Sequence, residues 1–409
     1  MFSILRCLYL LYTLAMEKNN KLKSCNNCQL PETYETIEYE KGGSCNICSN
    51  TKFKNTKIDW GKRKKLLDQL IEKNRNKYAY DCIIPFSGGK DSVYTVHYLM
   101  KEYKIKPLIV RFNHGFMRKT IQDNTQKVLK KLGADFLDFT PNWKIVKKVM
   151  LESFKRKTDF CWHCHTGIYS YPIRVALMYK VPLIFYGEPQ GEITNYFEYS
   201  SDKIEYENEE KFLMLRTLGI TAEDMHGMIN TEEDPVDIRD LSPYTFPKKE
   251  ELEQLNYNPA CLGSFIPWDY ATNTALIKKE LDWKSDQLEG VPDELNPQGE
   301  KIECFMQGTR DYIKFLKRGY SRITQINAFN VRNNRMTPEE AKKQNLEFDG
   351  KKPPSLDIFL DYVGLTEKEF NQFIDRTVIP PNKPNYNTNR VSEKTWDFDQ
   401  WYRENNKKK

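Results

Sequence analysis

A chain of 409 residues is long enough for two or three domains around a sizeable core. Its formal net charge of +6 is mildly basic, which admits an anionic substrate and argues against a dedicated nucleic-acid coat. The ten cysteines include three C-x-x-C pairs, a spacing suited to metal ligation rather than to long-range disulfides, so a reducing, cytoplasmic compartment is expected.

The opening run MFSILRCLYLLYTLA is apolar but shorter than the roughly 20 residues that a membrane-spanning helix needs. No small-x-small cleavage site follows it, and Met16 opens a polar stretch. Residues 1–20 are therefore expected to be an extension without a transmembrane span, with a peripheral membrane anchor as the alternative. Residues 21–60 hold C-N-N-C and C-N-I-C separated by 16 residues, the pattern of a zinc ribbon in which Cys25, Cys28, Cys45 and Cys48 surround one tetrahedral ion. Such a closed four-thiolate site staples a small module, and Gly42 and Gly43 would turn the chain before the second knuckle.

Residues 61–283 read as α/β. Apolar strands at 80–86, 107–112, 135–139 and 182–186 alternate with helical segments near 91–103, 118–132, 142–156 and 166–179. That is the rhythm of a parallel sheet with crossover helices. The basic segment at 143–157 reads as a solvated helix face, with an RNA-backbone patch as the lesser reading. Residues 201–211 are charged and expected to be exposed, 284–300 form a proline- and glycine-spaced connector, and the remainder to 409 is mostly helical and ends in NNKKK.

The first strand delivers the chain to Ser87, Gly88, Gly89, Lys90, Asp91 and Ser92, and an apolar stripe of Val93, Val96, Leu99, Met100 and Tyr103 begins at once. Glycines at a strand-to-helix turn let backbone N–H groups approach an anion, and the helix N-terminus adds positive potential. With the Lys90 charge and two serine hydroxyls, a phosphate or pyrophosphate is the expected guest. The spacing is not that of a Walker loop.

S-G-G-K-D-S resembles the PP-loop of the ATP pyrophosphatases, enzymes of the adenine-nucleotide alpha-hydrolase type that transfer AMP to a carbonyl or amide oxygen and release pyrophosphate. The resemblance implies ATP and Mg²⁺ as cofactors, Lys90 and Asp91 in catalysis, and nucleotide contacts from Asn113, His114 and Gly115 in LIVRFNHGF. Together with DFCWHCHTGI, YGEPQGE, FIPWD and KRGYSRITQINAFNVRNNRMTPEEA, it extends in one order over residues 21–345 and is similar to the N-acetyl sugar amidotransferases of surface-polysaccharide biosynthesis. Two departures are YGEPQGE, where an asparagine would follow the glutamate, and the tail beyond about residue 350.

Such enzymes convert an acetamido group into an acetamidino group. The resemblance implies a substrate or metal contact at Glu188, an N-acetylated sugar as substrate, and a separate glutaminase subunit as ammonia source, because no glutaminase is evident around Cys261. Trp268 and Asp269 are candidates for the sugar, by stacking and hydroxyl acceptance, or else core residues. Cys161, His163, Cys164 and His165 crowd two thiols and two imidazoles together as a second zinc site, part of an iron–sulfur cluster, a substrate-facing loop, or a packed helix cap. Thr166 and Gly167 would follow at a helix start able to bind an anion.

Two rival readings belong to other classes. A tRNA-thiolating enzyme would use Cys161, Cys164 and Cys261 as a metal or iron–sulfur trio, but a second cysteine ribbon is absent and the net charge is modest, so nucleic acid is not the expected partner. A ribbon adaptor that only senses nucleotide leaves the complete phosphate loop unexplained.

Overall fold

The computed structural model describes residues 22–189, 191, 196–201, 203–205 and 214–391. The expectations for residues 1–20, for most of 201–211 and for the lysine tail lie outside these residues. The chain enters through the two cysteine knuckles, the first closed by an isolated antiparallel bridge Ser24–Pro31 and the second preceded by a bridge Tyr39–Cys45. Helices α1 (Asn46–Lys57) and α2 (Trp60–Asn74) follow. Gly43 takes φ +78° at the turn before the second knuckle, as its position suggested.

Strand β1 (Cys82–Pro85), helix α3 (Lys90–Tyr103), β2 (Pro107–Phe112), α4 (Lys119–Leu132), β3 (Asp135–Phe139), α5 (Trp143–Lys157), α6 (Trp162–Tyr179) and β4 (Leu183–Tyr186) form the α/β body. A fifth strand, β5 (Asn258–Cys261), comes after helices α7 (Ala222–Ile229) and α8 (Lys249–Leu255). The sheet order is β3-β2-β1-β4-β5. Every pairing is parallel, with Ile84 opposite Ile109 and Ile83 opposite Ile184. All six residues of β2 are buried because helices cover both faces of the sheet.

On one face α3 buries Val93, Val96 and Leu99 and packs against α9 (Tyr270–Leu281). On the other, α6 crosses β1 and β2. The strand order reverses at β1, which pairs with β2 on one side and β4 on the other, and its C-terminal end carries the glycine loop, the place where α/β sheets put their ligands.

Of the C-terminal helices α10 (Gln307–Arg318), α11 (Arg322–Arg332), α12 (Pro338–Phe348), α13 (Ser355–Val363) and α14 (Glu367–Asp375), it is α10, α13 and α14 that share a core with the crossover helix α5. Val146, Met150 and Phe154 of α5 pack with Leu316, Phe359 and Phe370. The lysines of α5 lie on its outer side, so the 143–157 segment is a solvated helix face. The ribbon docks on the same C-terminal unit: Tyr34 and Tyr320 have ring centroids 5.1 Å apart, and Arg318 Nε lies 3.2 Å from Glu35 Oε1. Among the described residues no helix is long and apolar enough to cross a membrane.

Candidate active site

The loop after β1 is built by its own hydroxyls. Ser92 Oγ accepts from Ser87 N and Gly88 N, each at 3.2 Å, and donates to Gly89 O at 3.1 Å. Gly88 has φ +82°, and a Cβ there would fall 2.6 Å from Thr125 Oγ1 and 2.9 Å from Ile121, so a side chain is excluded both by conformation and by space. Trp283 Nε1 donates to Gly88 O at 3.0 Å and fixes the turn from outside.

Lys90 opens α3 with its side chain buried. Its Nζ lies 2.5 Å from Asp91 Oδ2 and 2.6 Å from Glu300 Oε2, and stands 4.1 Å above the Tyr270 ring. Tyr270 donates its hydroxyl to Glu188, and Lys301 Nζ lies 3.5 Å from Glu188 and 3.7 Å from Glu300. Burial works against the Lys90 cation, but Asp91, Glu300 and Glu188 hold its pKa above the ordinary lysine range. Burial pushes Asp91 up to about 7 against the pull of Lys90, while Glu300, half-buried, is held below the usual carboxylate range by Lys90 and Lys301. Glu303 closes the ring. Ser87 Oγ donates to its Oε1 at 3.4 Å, and a Cβ added at Gly89 would overlap its carboxylate.

This loop forms one end of a cavity of about 690 Å³. Its lining includes His114, His163, Cys164 and His165, Glu188 and Tyr270, and Arg310, Lys314 and Arg322 of α10 and α11. His114 sits in the loop after β2, where its Nδ1 accepts from Phe116 N at 3.2 Å and its carbonyl is 3.3 Å from His163 Nε2. Burial holds His114 at about 3 and His163 at about 4, so both are neutral at pH 7. Asn113 and Gly115 shape that loop: Asn113 Oδ1 accepts from Gly115 N at 2.9 Å, and at φ +84° a Gly115 Cβ would overlap Trp143.

Several expected contacts fall elsewhere. Helix α6 begins at Trp162, four residues before Thr166, so Thr166 and Gly167 lie inside the helix rather than at an anion-binding start. Thr166 is buried and a Cβ at Gly167 would overlap Phe112, which makes this pair the contact between α6 and β2. Trp268 is a core residue, edge-on to Tyr94 with centroids 5.3 Å apart, and is not among the cavity-lining residues. Asp269 caps α9 through Thr272 N at 2.8 Å and pairs with Arg335. It therefore holds a cavity-lining arginine without itself lining the cavity.

The four ribbon thiols are buried, and their sulfurs all lie within 4.8 Å of one another. Three of the pairs are 3.7, 3.7 and 3.9 Å apart. Thiolates at about 2.3 Å from one tetrahedral ion are about 3.8 Å apart, so this is a metal site by the chemistry and spacing of its donors. Among the described residues no other group of three or more His, Cys, Asp or Glu side chains draws together so closely. Cys161 and Cys164 face the cavity, whereas Cys261 is buried with its sulfur donating to Gly187 O at 3.4 Å. The third thiol lining the cavity is Cys304, and burial pushes it up to about 12.

Glu300, Lys301, Glu303, Tyr270, Cys304 and Arg310 are site residues that the motifs do not single out. Glu300, Lys301 and Glu303 lie at or beside the segment that reads as a connector, and a carboxylate 216 positions from the serine it meets leaves no local pattern. Residues 300–403 match the family of the LPS biosynthesis protein WbpG-like C-terminal domain.

Residues 300–403 are thus similar to the C-terminal domain of WbpG-like LPS biosynthesis proteins. The match bears out the resemblance to the N-acetyl sugar amidotransferases, and the WbpG-like segment starts at Glu300, the residue that reaches Lys90. The uncharacterized protein MJ1599 of Methanocaldococcus jannaschii is 27% identical over 165 residues, which cover 40% of this chain and 58% of that protein. The chain thus spans less than two thirds of that relative. A solved structure, the U34-tRNA thiolase NcsA from Methanococcus maripaludis with its 4Fe-4S cluster, aligns over 87% of this chain and 89% of its own at 13% identity and a TM-score of 0.29, too low a likeness to carry an argument.

Proposed function

We propose that the chain is an ATP-dependent amidotransferase that turns the acetamido group of an N-acetylated sugar into an acetamidino group in surface-glycan biosynthesis. The observation that supports it most is the meeting of the Ser87–Ser92 loop with the first residues of the WbpG-like domain across one cavity.

An amide carbonyl is a poor electrophile, and ammonia does not expel its oxygen at useful rates. In this reading the acetamido oxygen attacks the α-phosphorus of ATP, pyrophosphate leaves, and an O-adenylyl imidate results. Ammonia adds to the imidate carbon, the C–O bond breaks, AMP departs with the former amide oxygen, and one proton is lost to give the amidine. Lys90 and the loop backbone would stabilise charge on the phosphates, a task of positioning and electrostatics that needs no covalent enzyme intermediate. Asp91, Glu188, Glu300 and Glu303 bring carboxylate oxygens to the cavity wall without converging on one point, so a Mg²⁺ here would be held by one or two of them together with the phosphates, whose charge it would neutralise. His114 and His163, neutral and buried, can donate or accept a hydrogen bond beside the cavity without adding charge. A separate glutaminase would supply ammonia, and zinc would fill the ribbon as a staple. The division into a ribbon at 21–60, a PP-loop domain at 61–283 and a C-terminal region at 284–409 belongs to the same reading.

The test is the fate of isotopic oxygen placed in the acetamido carbonyl. Amidotransfer puts the label in AMP and yields a product about one mass unit lighter that is cationic at neutral pH, with ammonium salts able to replace glutamine plus partner. Label retained in the sugar, or sulfur delivered to tRNA, overturns it.

A further inference from the structure

The donors of the glycine loop are taken up by the chain itself. Ser87 N and Gly88 N both donate to Ser92 Oγ at 3.2 Å, and Gly89 N donates to Ser87 Oγ at 3.2 Å. The Ser87 hydroxyl reaches on to Glu303 Oε1 at 3.4 Å, and the Lys90 ammonium is held by Asp91 at 2.5 Å and Glu300 at 2.6 Å. The Glu303 carboxylate also lies against the loop backbone: a Cβ at Gly89 would overlap its Oε1 and stand 2.6 Å from its Cδ. Gly89 has an ordinary φ of −74°, so the missing side chain matters there for space and not for conformation.

A carboxylate set against glycine backbone, hydroxyl and ammonium makes the contacts that a phosphate oxygen would make. Glu300 and Glu303 cannot share those donors with a phosphate, because anions in contact repel. The backbone behind both carboxylates is pinned. Arg118 N donates to Glu303 O at 3.3 Å, and Cys304 pairs with Met117 in an isolated antiparallel bridge. Asn296 accepts from Glu300 N at 2.7 Å and donates to Glu300 O at 3.2 Å. What moves, then, is each glutamate side chain, by rotation about its own bonds.

We propose that Glu303 is a built-in plug of the phosphate seat, with Glu300 as a second prong on Lys90: the two carboxylates stand in for the anion, and phosphate enters only as they swing out. The seat is thus regulated from a segment more than two hundred residues beyond the glycine loop. The identity of the displacing anion, a pyrophosphate or the phosphates of ATP, rests on the reading of Ser87–Ser92 as an ATP loop. The affinity observed is the intrinsic affinity reduced by the fraction of molecules whose seat is clear.

The experiment is a calorimetric titration of the full, metal-loaded chain with inorganic pyrophosphate, without added Mg²⁺ so that carboxylate ligation of that ion does not enter. Glu303→Asp keeps the charge and withdraws it by one methylene, whereas Glu303→Ala removes charge and reach together. Both should bind pyrophosphate about tenfold more tightly than wild type, the shift expected if the seat is clear in about a tenth of wild-type molecules. Equal affinity in all three proteins overturns the plug and leaves the phosphate loop standing. Tightening confined to Glu303→Ala also overturns it, since lost repulsion alone would produce that, and weaker binding in either variant would make Glu303 a helper of the anion instead. Pyrophosphate bound by none of the three proteins overturns the reading of the loop as an ATP loop, and the plug with it.

Discussion

The Lys90 ammonium lies 2.6 Å from Glu300 Oε2, which joins the glycine loop to the first residue of the WbpG-like domain. Glu300→Gln keeps the shape and removes the charge, leaving Lys90 with Asp91. We expect a stability loss of about 1–3 kcal/mol, the range for hydrogen bonds to charged groups, measured by denaturant unfolding of the metal-loaded protein. An unchanged midpoint would mean that the pair contributes nothing to the stability of the nucleotide-free protein.

Lys90→Ala removes the charge-assisted contact proposed for phosphate. Turnover should fall about tenfold or more, with ATP still cleaved to AMP and pyrophosphate by whatever activity remains. Chromatography of the nucleotide products checks both statements, and ADP as the product would remove the PP-loop assignment.

Gly88→Ala forces φ +82° on a residue with a Cβ and drives that carbon toward Thr125 and Ile121. A cost of about 1–3 kcal/mol is expected, and ATP binding should weaken as the loop shifts. Gly133 also has positive φ, at +66°, but nothing lies within 4 Å of its Cβ position. Gly133→Ala is thus the control for conformational cost alone.

His114 at about 3 and His163 at about 4 both lie below the ordinary 6.5, because burial disfavours the imidazolium. Between those values the unfolded chain binds more protons than the folded one. Their contribution is therefore fully present above pH 6.5 and is lost as pH falls through 4 toward 3. Unfolding midpoints at pH 7, 5 and 4 should decline accordingly, and His163→Gln should flatten the decline. A wild-type midpoint that holds constant down to pH 4 would show that these imidazoles are not kept neutral.

Metal analysis should return one zinc ion per chain, lost in Cys25→Ser along with folding yield. Four sulfurs within 4.8 Å make the prediction specific to residues 25–48.

Much of the α/β body can be read from the chain because local signals agree there: four strands and the helices between them fall within a few residues of their expected places, and the glycine loop sits where its motif requires. Strand β5 escapes because its four residues, NPAC, carry no alternation and include Pro259. The start of α6 is misplaced because Cys161–His165 reads as ligand chemistry, although Trp162 and His163 are buried helix residues. Local sequence does not distinguish Trp268 in a core from Trp268 on a sugar, since either fate suits an indole. The carboxylates around Lys90 are the largest omission. Glu300 and Glu303 arrive from a segment with no periodicity, and only tertiary packing brings them to the loop.

Thr33 and Arg318 exchange two hydrogen bonds, each 2.5 Å long, across 285 positions of chain. On a ribosome adding about 5–20 residues per second, the ribbon therefore waits on the order of tens of seconds for its docking surface. Through that interval Leu30 and Tyr34 face water or a chaperone, and the knuckles are held by their metal and by short-range hydrogen bonds of the ribbon itself, such as Asn26 N to Gly43 O. Metal supply during synthesis should consequently set how many molecules mature, and metal given after release should rescue few of those that missed it.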